Sequence, residues 1–317
     1  MEEMNRMEIA VLVPCYNEEL TVEKVIADFN TYLPEAKVYV YDNNSTDKTY
    51  ELAVNAGAIV RKERRQGKGN VVRSMFRDID ADVYIMIDGD DTYPVEEIRK
   101  LIEPVVNGDA DMVIGDRLSN GTYAAENKRG FHNFGNNLVR NLINRLFNGN
   151  INDIMTGYRV FNRTFVKTMP VMSEGFQIET ELSIFSLVNR FKIVEIPIIY
   201  RDRPEGSVSK LNTFRDGFRV LMTLFNLYKD YKPLWFFSIF AIIFGLFGLL
   251  TGIPVIVEFS LTGFVAKLPS AVLASSLVIL SFLCFFLGLI LDYNANQSKR
   301  NFEILVNEFI YRESKIK

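Results

Sequence analysis

The chain has 317 residues, enough for one large domain or two ordinary ones, and its formal net charge is −3. That charge gives no general reason to expect nucleic acid as a partner. Two distant cysteines, Cys15 and Cys284, provide neither a disulfide framework nor a zinc set, and a single histidine, His132, argues against histidine metal sites and a Ser-His-Asp triad.

Apolar runs alternate with amphipathic segments through the first 115 residues. Strands are predicted at 8–13, 37–42, 58–60, 83–88 and 111–116, and helices at 19–32, 46–56, 68–80 and 95–107. Strand–helix alternation of this kind predicts an α/β fold with a mainly parallel sheet and right-handed crossovers. Ligand sites in such sheets gather at the carboxyl ends of the strands.

Distinctive residues follow three of these strands. They are Pro14-Cys15-Tyr16-Asn17-Glu18 after the first strand, Asp42-Asn43-Asn44 after the second and Asp88-Gly89-Asp90-Asp91 after the fourth. Three carboxylates so close together repel one another, which raises their pKa values unless a cation joins them. A solvated turn is the alternative to a metal site, but polar residues at three neighbouring strand ends favour a site. Aspartates without nearby histidine or cysteine suit Mg²⁺ or Mn²⁺, with substrate phosphates completing the shell.

Two further segments bear on phosphate chemistry. RRQGKGN, residues 64–70, places glycines and cations at the predicted start of a helix, where backbone amides and the helix dipole favour binding of an anion. A solvated basic turn explains the same residues equally well. DGDDT, residues 88–92, also resembles the nucleophile motif of aspartyl-phosphate phosphatases. In those enzymes the motif ends the first strand, whereas here it ends the fourth, and the acidic segment 108–116 follows too soon. The phosphatase hypothesis is therefore disfavoured.

The composition changes after about residue 232. Residues 212–231 carry apolar side chains at helical spacing with basic residues elsewhere, which predicts an amphipathic helix at a membrane interface. Two uncharged segments, about 234–257 and 268–291, are each long enough to cross a hydrocarbon core of roughly 30 Å. We expect two transmembrane helices joined by a short hairpin over 258–267.

Basic residues set the expected orientation. Arg215, Arg219, Lys229 and Lys232 precede the first span, and Lys299 and Arg300 follow the second. The positive-inside rule then predicts that the catalytic domain, residues 1–211, and the tail, residues 292–317, lie in the cytoplasm together with both termini.

The motifs as a set resemble a known family. VPCYNEE, DNNSTDKT, GKGN and DGDDTYP resemble, in order and position, the motifs of family 2 glycosyltransferases of the GT-A fold. GDR, NDIMTGYRVF, GFQIETEL and YRDRPEGSVSKL, followed by two spans, are similar to its polyprenyl-phosphate branch, which is dolichol-phosphate-mannose-synthase-like. Processive polysaccharide synthases carry a Q-x-x-R-W element, whereas the only tryptophan here is Trp235.

The resemblance implies roles for individual residues. The nucleotide-sugar-binding residues would be Pro14, Tyr16, Asn17, Glu18, Asp42, Asn43, Lys68 and Asp88. Asp88 and Asp90 would hold the metal, whereas Asp91 suits a helix cap equally. Asp153 would lie near the sugar, as a positioning residue first and a base second.

The acceptor that the resemblance implies changes what catalysis requires. A lipid phosphate is already an anionic nucleophile, so its attack depends on positioning and charge neutralisation more than on a base. Cations should therefore line the acceptor side, and the candidates are Arg117, Arg129, Arg201 and Lys210. Together with Asp153, Arg117 and Arg129 are expected to act in catalysis.

The predicted function is an inverting glycosyltransferase that depends on Mg²⁺ or Mn²⁺. Its donor would be a nucleotide sugar, with UDP-glucose or UDP-N-acetylglucosamine expected and GDP-mannose still open. Its acceptor would be undecaprenyl or dolichyl phosphate at the cytoplasmic membrane face, and a homo-oligomer is left open. Two alternatives remain: a membrane glycosyltransferase acting on a glycan or protein hydroxyl, and a non-catalytic anchor for a partner transferase.

Overall fold

The structure, a computed structural model, describes residues 7–119, 130–204, 206 and 213–316. Its contacts divide into two compact units. One runs to Leu224 and takes in the stretch from Phe309 onward, and the other runs from Phe225 to Glu308.

The first unit contains a seven-stranded sheet with strand order β3-β2-β1-β4-β6-β5-β7. The strands are β1 Ile9–Cys15, β2 Lys37–Asp42, β3 Ile59–Lys62, β4 Val83–Met86, β5 Met112–Asp116, β6 Arg159–Asn162 and β7 Ile193–Pro197. β6 is antiparallel to β4 and β5, and the other pairs are parallel. The predicted α/β fold with a mainly parallel sheet is confirmed, with β6 and β7 added to the five predicted strands.

Helices lie between and after the strands in the chain. They are α1 Val22–Tyr32, α2 Thr49–Asn55, α3 Lys68–Asp78, α4 Ile98–Val106, α5 Gly130–Phe147, α6 Arg163–Thr168, α7 Ile178–Val188 and α8 Thr213–Tyr231. One continuous core joins the inward faces of the sheet to α1 and α4, through residues such as Val11, Ile85, Phe29 and Leu101. Burial of these apolar side chains is the main favourable term in the stability of the unit.

The register of the central strands aligns the predicted site. Cys15 on β1 is paired with Asp42 on β2, and Leu12 on β1 is paired with Met86 on β4. Because these strands are parallel, the residues that follow them emerge at one edge of the sheet. The polar residues after β1, β2 and β4 therefore share that edge.

The second unit contains α9, Pro233–Thr262, and the greater part of α10, Leu268–Ile316. Both are candidate membrane-spanning helices, with mean hydropathy 2.5 in their most apolar windows, of which only 17% and 11% is buried. A buried core helix would be mostly covered, so these two helices do not have the character of a soluble core. They pack closely where a Cβ on Gly248 would press against Val278 and where Ser281 donates a hydrogen bond of 2.7 Å to the Ala241 carbonyl.

The helices are longer than the predicted spans and extend into the predicted hairpin, so the non-helical turn between them covers residues 263–267. Residues 258–262 are helical, and α9 ends only where Gly263 adopts a left-handed φ of 70°. The hydroxyls of Ser260 and Thr262 donate to carbonyls four residues back, so these polar side chains are satisfied within the helix. The predicted tail, residues 292–317, is likewise helical as far as Ile316.

Candidate active site

The aspartates after β4 point in different directions. Asp90 is buried, accepts hydrogen bonds from the Thr92 amide and hydroxyl at 3.3 and 2.7 Å, and forms an ion pair with Arg203. Burial, and then the neighbouring charge of Asp88, raise the pKa of Asp90. Asp91 instead adopts a left-handed φ of 56° and pairs with Lys24 on α1 at 2.7 Å. Only Asp88 and Asp90 therefore share the strand-end site.

A buried ammonium group lies between two carboxylates beside this pair. Lys68 Nζ is 2.5 Å from Asp88 Oδ1 and 2.5 Å from Glu179 Oε1 on α7. Burial by itself would lower the pKa of Lys68, but the two carboxylates more than offset this and raise it. Burial raises the pKa of Glu179, and the charge of Lys68 opposes that effect. Glu179 is not among the predicted site residues, although it lies in the motif GFQIETEL.

The glycines before and within α3 have a packing role. A Cβ on Gly67 or Gly69 would overlap the carbonyls of Glu174 and Ser173, respectively. The amide of Gly67 donates to Asn43 Oδ1 at 2.7 Å, and the amide of Asn70 donates to the Glu174 carbonyl at 3.2 Å. Two amides that an anion loop would use are thus already paired. The glycines of RRQGKGN thus admit another chain segment, and anion binding by this loop stays a prediction.

The residues after β1 and β2 form the rim of the same edge. Asn43 donates to the carbonyls of Glu63 and Arg65, and Asn17 accepts from the Thr46 amide at 2.8 Å. Their side chains therefore hold loops in place. The remaining predicted members are Pro14, Tyr16, Glu18 and Asp42, of which Glu18 and Asp42 are buried and Tyr16 is exposed.

The end of β5 carries a bidentate ion pair. Arg117 Nε and Nη2 lie 2.7 and 2.9 Å from the two oxygens of Asp153, and the Arg117 amide donates to the same carboxylate at 3.1 Å. Both side chains are buried. Two contacts to backbone atoms hold this loop: Glu195 accepts from the amide of Asp153 at 3.0 Å, and the fully buried Arg159 donates to the Ile154 carbonyl at 2.6 Å.

Gly157 brings this loop against the β4 site. Its amide donates to the Tyr93 hydroxyl at 3.1 Å, and a Cβ at this position would overlap the Asp88 carboxylate. The same tyrosine hydroxyl lies 3.4 Å from Arg117 Nη1. Tyr93 thus joins the two halves of the site, a role that periodicity alone does not reveal.

Of the four cations predicted on the acceptor side, the structure describes two, Arg117 and Arg201. Arg201 pairs with Glu96 at 2.6 Å and its side chain is 40% exposed, whereas Arg203, which was not predicted, contacts Asp90. Arg129 and Lys210 lie outside the described residues. Among the residues that are described, no three His, Cys, Asp or Glu side chains form a group able to hold a metal by themselves.

Comparison with known proteins identifies the family. The glycosyl transferase family 2 model matches residues 10–169, about half of the chain. The chain belongs to glycosyl transferase family 2. This transferase is 35% identical over 231 residues to the glycosyltransferase AglJ of Haloferax volcanii, across 73% of this chain and 75% of the relative.

A second relative of this family 2 glycosyltransferase is the dolichyl-phosphate hexose transferase of Haloferax volcanii. It is 31% identical over 217 residues, across 68% of this chain and 92% of the relative. A solved structure of Mycobacterium tuberculosis glucosyl-3-phosphoglycerate synthase, in complex with Mn²⁺, UDP and glucosyl-3-phosphoglycerate, matches with a TM-score of 0.59. That match has 22% identity over 71% of this chain and 81% of the other, so it concerns the fold alone. The predicted family and GT-A fold are confirmed.

Proposed function

We propose that this glycosyltransferase moves a sugar from a nucleotide diphosphate to a polyprenyl phosphate, either undecaprenyl or dolichyl phosphate, with inversion at the anomeric carbon. The observation that carries the proposal is the state of Asp153. Both of its oxygens accept hydrogen bonds from Arg117, so the carboxylate expected nearest the sugar is held as a positioning group and is not aimed at an acceptor hydroxyl. An acceptor phosphate needs no base because it is already an anion.

Asp88 and Asp90 suit a divalent cation that binds together with the donor. Two carboxylates without histidine or cysteine fit Mg²⁺ or Mn²⁺, and such ions take their remaining ligands from substrate phosphates and water. When bound, the cation would neutralise negative charge on the diphosphate leaving group. The Mn²⁺ and UDP bound by the M. tuberculosis synthase support this assignment and our preference for UDP-glucose or UDP-N-acetylglucosamine.

The chain's own residues divide the remaining work. Tyr16, at the exposed rim after β1, offers a ring face for the nucleotide base, and Lys68 offers positive charge to the diphosphate. Arg117 is the predicted cation for the acceptor phosphate, and Asp153, which fixes its guanidinium, offsets part of its charge. Arg201 adds a second, more exposed cation, and we extend the same role to Lys210, which shares the motif YRDRPEGSVSKL with Arg201, and to Arg129.

The membrane elements support a lipid acceptor. α8 exposes Phe218, Leu221, Met222 and Phe225, which recur at helical spacing on one side of the helix. A helix of this kind can lie in the headgroup region, where a polyprenyl phosphate presents its anionic end. The likeness to a dolichyl-phosphate hexose transferase over 92% of that relative supports the same acceptor class.

The decisive assay mixes the detergent-purified full chain with undecaprenyl phosphate, a divalent cation and a panel of labelled nucleotide sugars. We expect one sugar to be transferred to lipid and to be released by mild acid, because a sugar phosphate bond is acid-labile whereas an ordinary glycoside survives. An acid-stable product on a glycan or protein would support the hydroxyl-acceptor alternative. Failure to bind any nucleotide sugar would support the anchor alternative.

The cytoplasmic orientation has its own test. In a Cys284→Ser background, a cysteine introduced at Thr262 should react with a membrane-impermeant reagent in intact cells. A cysteine at Lys315 should react only after lysis. Labelling at Lys315 in intact cells would contradict the orientation.

A further inference from the structure

Lys68 has two carboxylate partners that differ in access to solvent. The side chain of Asp88 is 26% exposed, whereas that of Glu179 is 6% exposed, and each lies 2.5 Å from the Lys68 ammonium. Asp88 stands at the strand-end edge where ligands gather, while Glu179 belongs to a buried face of α7. The ammonium is thus bonded to one ligand-facing carboxylate and one interior carboxylate.

The position of Glu179 on α7 offsets part of the cost of burying its charge. It lies in the first turn of the helix, where the unpaired backbone amides and the helix dipole stabilise a negative charge. Its own carbonyl accepts a hydrogen bond of 2.9 Å from the Ser183 hydroxyl, which Arg159 also contacts at 3.0 Å. The backbone that carries the Glu179 carboxylate is therefore buried and held by hydrogen bonds.

This arrangement has a consequence for donor binding. If Asp88 were the only partner of Lys68, the ammonium would compete directly with any cation for that carboxylate. A buried second carboxylate keeps the ammonium in place while Asp88 turns to another ligand, because removing a buried cation from all partners is costly. The ammonium then remains beside the site with donor capacity for a phosphate oxygen.

We propose that Glu179 is a positioning residue for nucleoside-diphosphate binding, acting through Lys68. The inference rests on the proposed function, in which Lys68 contacts the donor diphosphate. Glu179 itself touches no substrate. Its effect is to fix where the Lys68 ammonium stands when the diphosphate arrives.

A matched control lies two residues along the same helix. Glu181 is also buried, and its two oxygens accept hydrogen bonds from the amides of Met172 and Ser173 at 2.9 and 2.8 Å. Glu181→Gln also replaces a buried carboxylate of α7, but the bonds it affects go to backbone amides. Comparison of the two variants separates positioning of Lys68 from general damage to the helix.

The experiment measures the dissociation constants of UDP and GDP for the full chain in detergent, in the presence of Mn²⁺, by calorimetry. For the nucleotide that the wild type binds, Glu179→Gln should weaken affinity about tenfold, as expected for disturbing one hydrogen bond to a charged group. Glu181→Gln should lose less affinity than Glu179→Gln, since its bonds go to the backbone of Met172 and Ser173, which packs against the α3 glycines, and not to the ammonium itself. Lys68→Gln should weaken binding at least as much as Glu179→Gln.

The double variant Glu179→Gln with Lys68→Gln is the critical measurement. If Glu179 acts through Lys68, adding the glutamine at 179 should cost nothing further once the ammonium is gone. Additive losses would overturn the proposal, as would wild-type affinity in Glu179→Gln or an equal loss in Glu181→Gln.

If thermal unfolding shows that Glu179→Gln is not folded, the same double-variant comparison with Lys68→Gln can use Glu179→Asp. Aspartate retains the negative charge on a shorter side chain. A loss of affinity that disappears in the Lys68→Gln background supports the inference, and an unchanged affinity overturns it. A wild-type chain that binds neither nucleotide would contradict the proposed function itself, a result distinct from every outcome above.

Discussion

The ends of β4 and β5 both bury carboxylates against cations, yet the two clusters differ in balance. At β5, one carboxylate and one guanidinium satisfy each other with two parallel hydrogen bonds. At β4, Asp88, Asp90 and Glu179 share Lys68 and Arg203, and Asp90 has a raised pKa through burial and the charge of Asp88. A balanced bidentate pair suits a rigid frame, whereas a cluster with excess negative charge suits an added cation.

The largest expected effect comes from breaking the balanced pair. Arg117→Ala leaves Asp153 buried without its cation, which should cost about 3–5 kcal/mol of stability because the charge is uncompensated. Chemical denaturation of the full chain in detergent measures this. Arg117→Met with Asp153→Leu removes both charges and should recover much of the loss. If the double variant is no more stable than Arg117→Ala, the pair is not the source of the effect.

A second prediction concerns the unbalanced cluster. Asp90→Asn should keep the fold but reduce metal-dependent turnover by about 100- to 1000-fold, the scale of losing one electrostatic contact to developing charge. Asp91→Asn is the control, because asparagine tolerates the left-handed backbone and Asp91 pairs with Lys24 instead. Equal activity of Asp90→Asn and wild type in a transfer assay would mean that Asp90 is not a metal ligand and only stabilises the turn after β4.

A third prediction tests the acceptor side at its exposed edge. Arg201→Ala should lower kcat/KM for lipid by roughly 10- to 150-fold while nucleotide-sugar affinity stays nearly constant, because one charge-assisted hydrogen bond is lost. Lysine should recover only part of this, since it lacks the bidentate fork. Arg99→Ala, which breaks an exposed pair with Glu35, should leave kcat/KM unchanged. A parallel loss in both variants would point to a general surface-charge effect.

The smallest expected effect separates Arg203 from its neighbour. Because Arg203 pairs with Asp90, Arg203→Gln should raise Mn²⁺ affinity in the nucleotide-free protein by roughly fivefold, or about 1 kcal/mol. Arg201→Gln should not, because its partner is Glu96. Titration of free Mn²⁺ by electron paramagnetic resonance measures both. Unchanged affinity in Arg203→Gln would mean that the guanidinium does not compete with the cation.

Much of the fold could be predicted because it depends on local pattern. Apolar strands alternating with amphipathic helices indicated the parallel half of the sheet, and the length of the uncharged segments indicated α9 and α10. β6 was missed because it is a four-residue strand carrying the fully buried Arg159, and its antiparallel pairing with β4 and β5 depends on distant neighbours.

The sequence by itself determined the family, the sheet edge at which the distinctive residues gather and the two apolar helices, since motif order, strand polarity and hydrophobic length are properties of the chain alone. The tertiary structure decided which charges meet. Lys68 and Glu179 are 111 positions apart in the chain yet form an ion pair. Arg203 pairs with Asp90, whereas Arg201, the predicted acceptor cation, pairs with Glu96. Ion pairs act over a few ångströms of space whatever the separation in sequence, so only the folded chain could assign these partners.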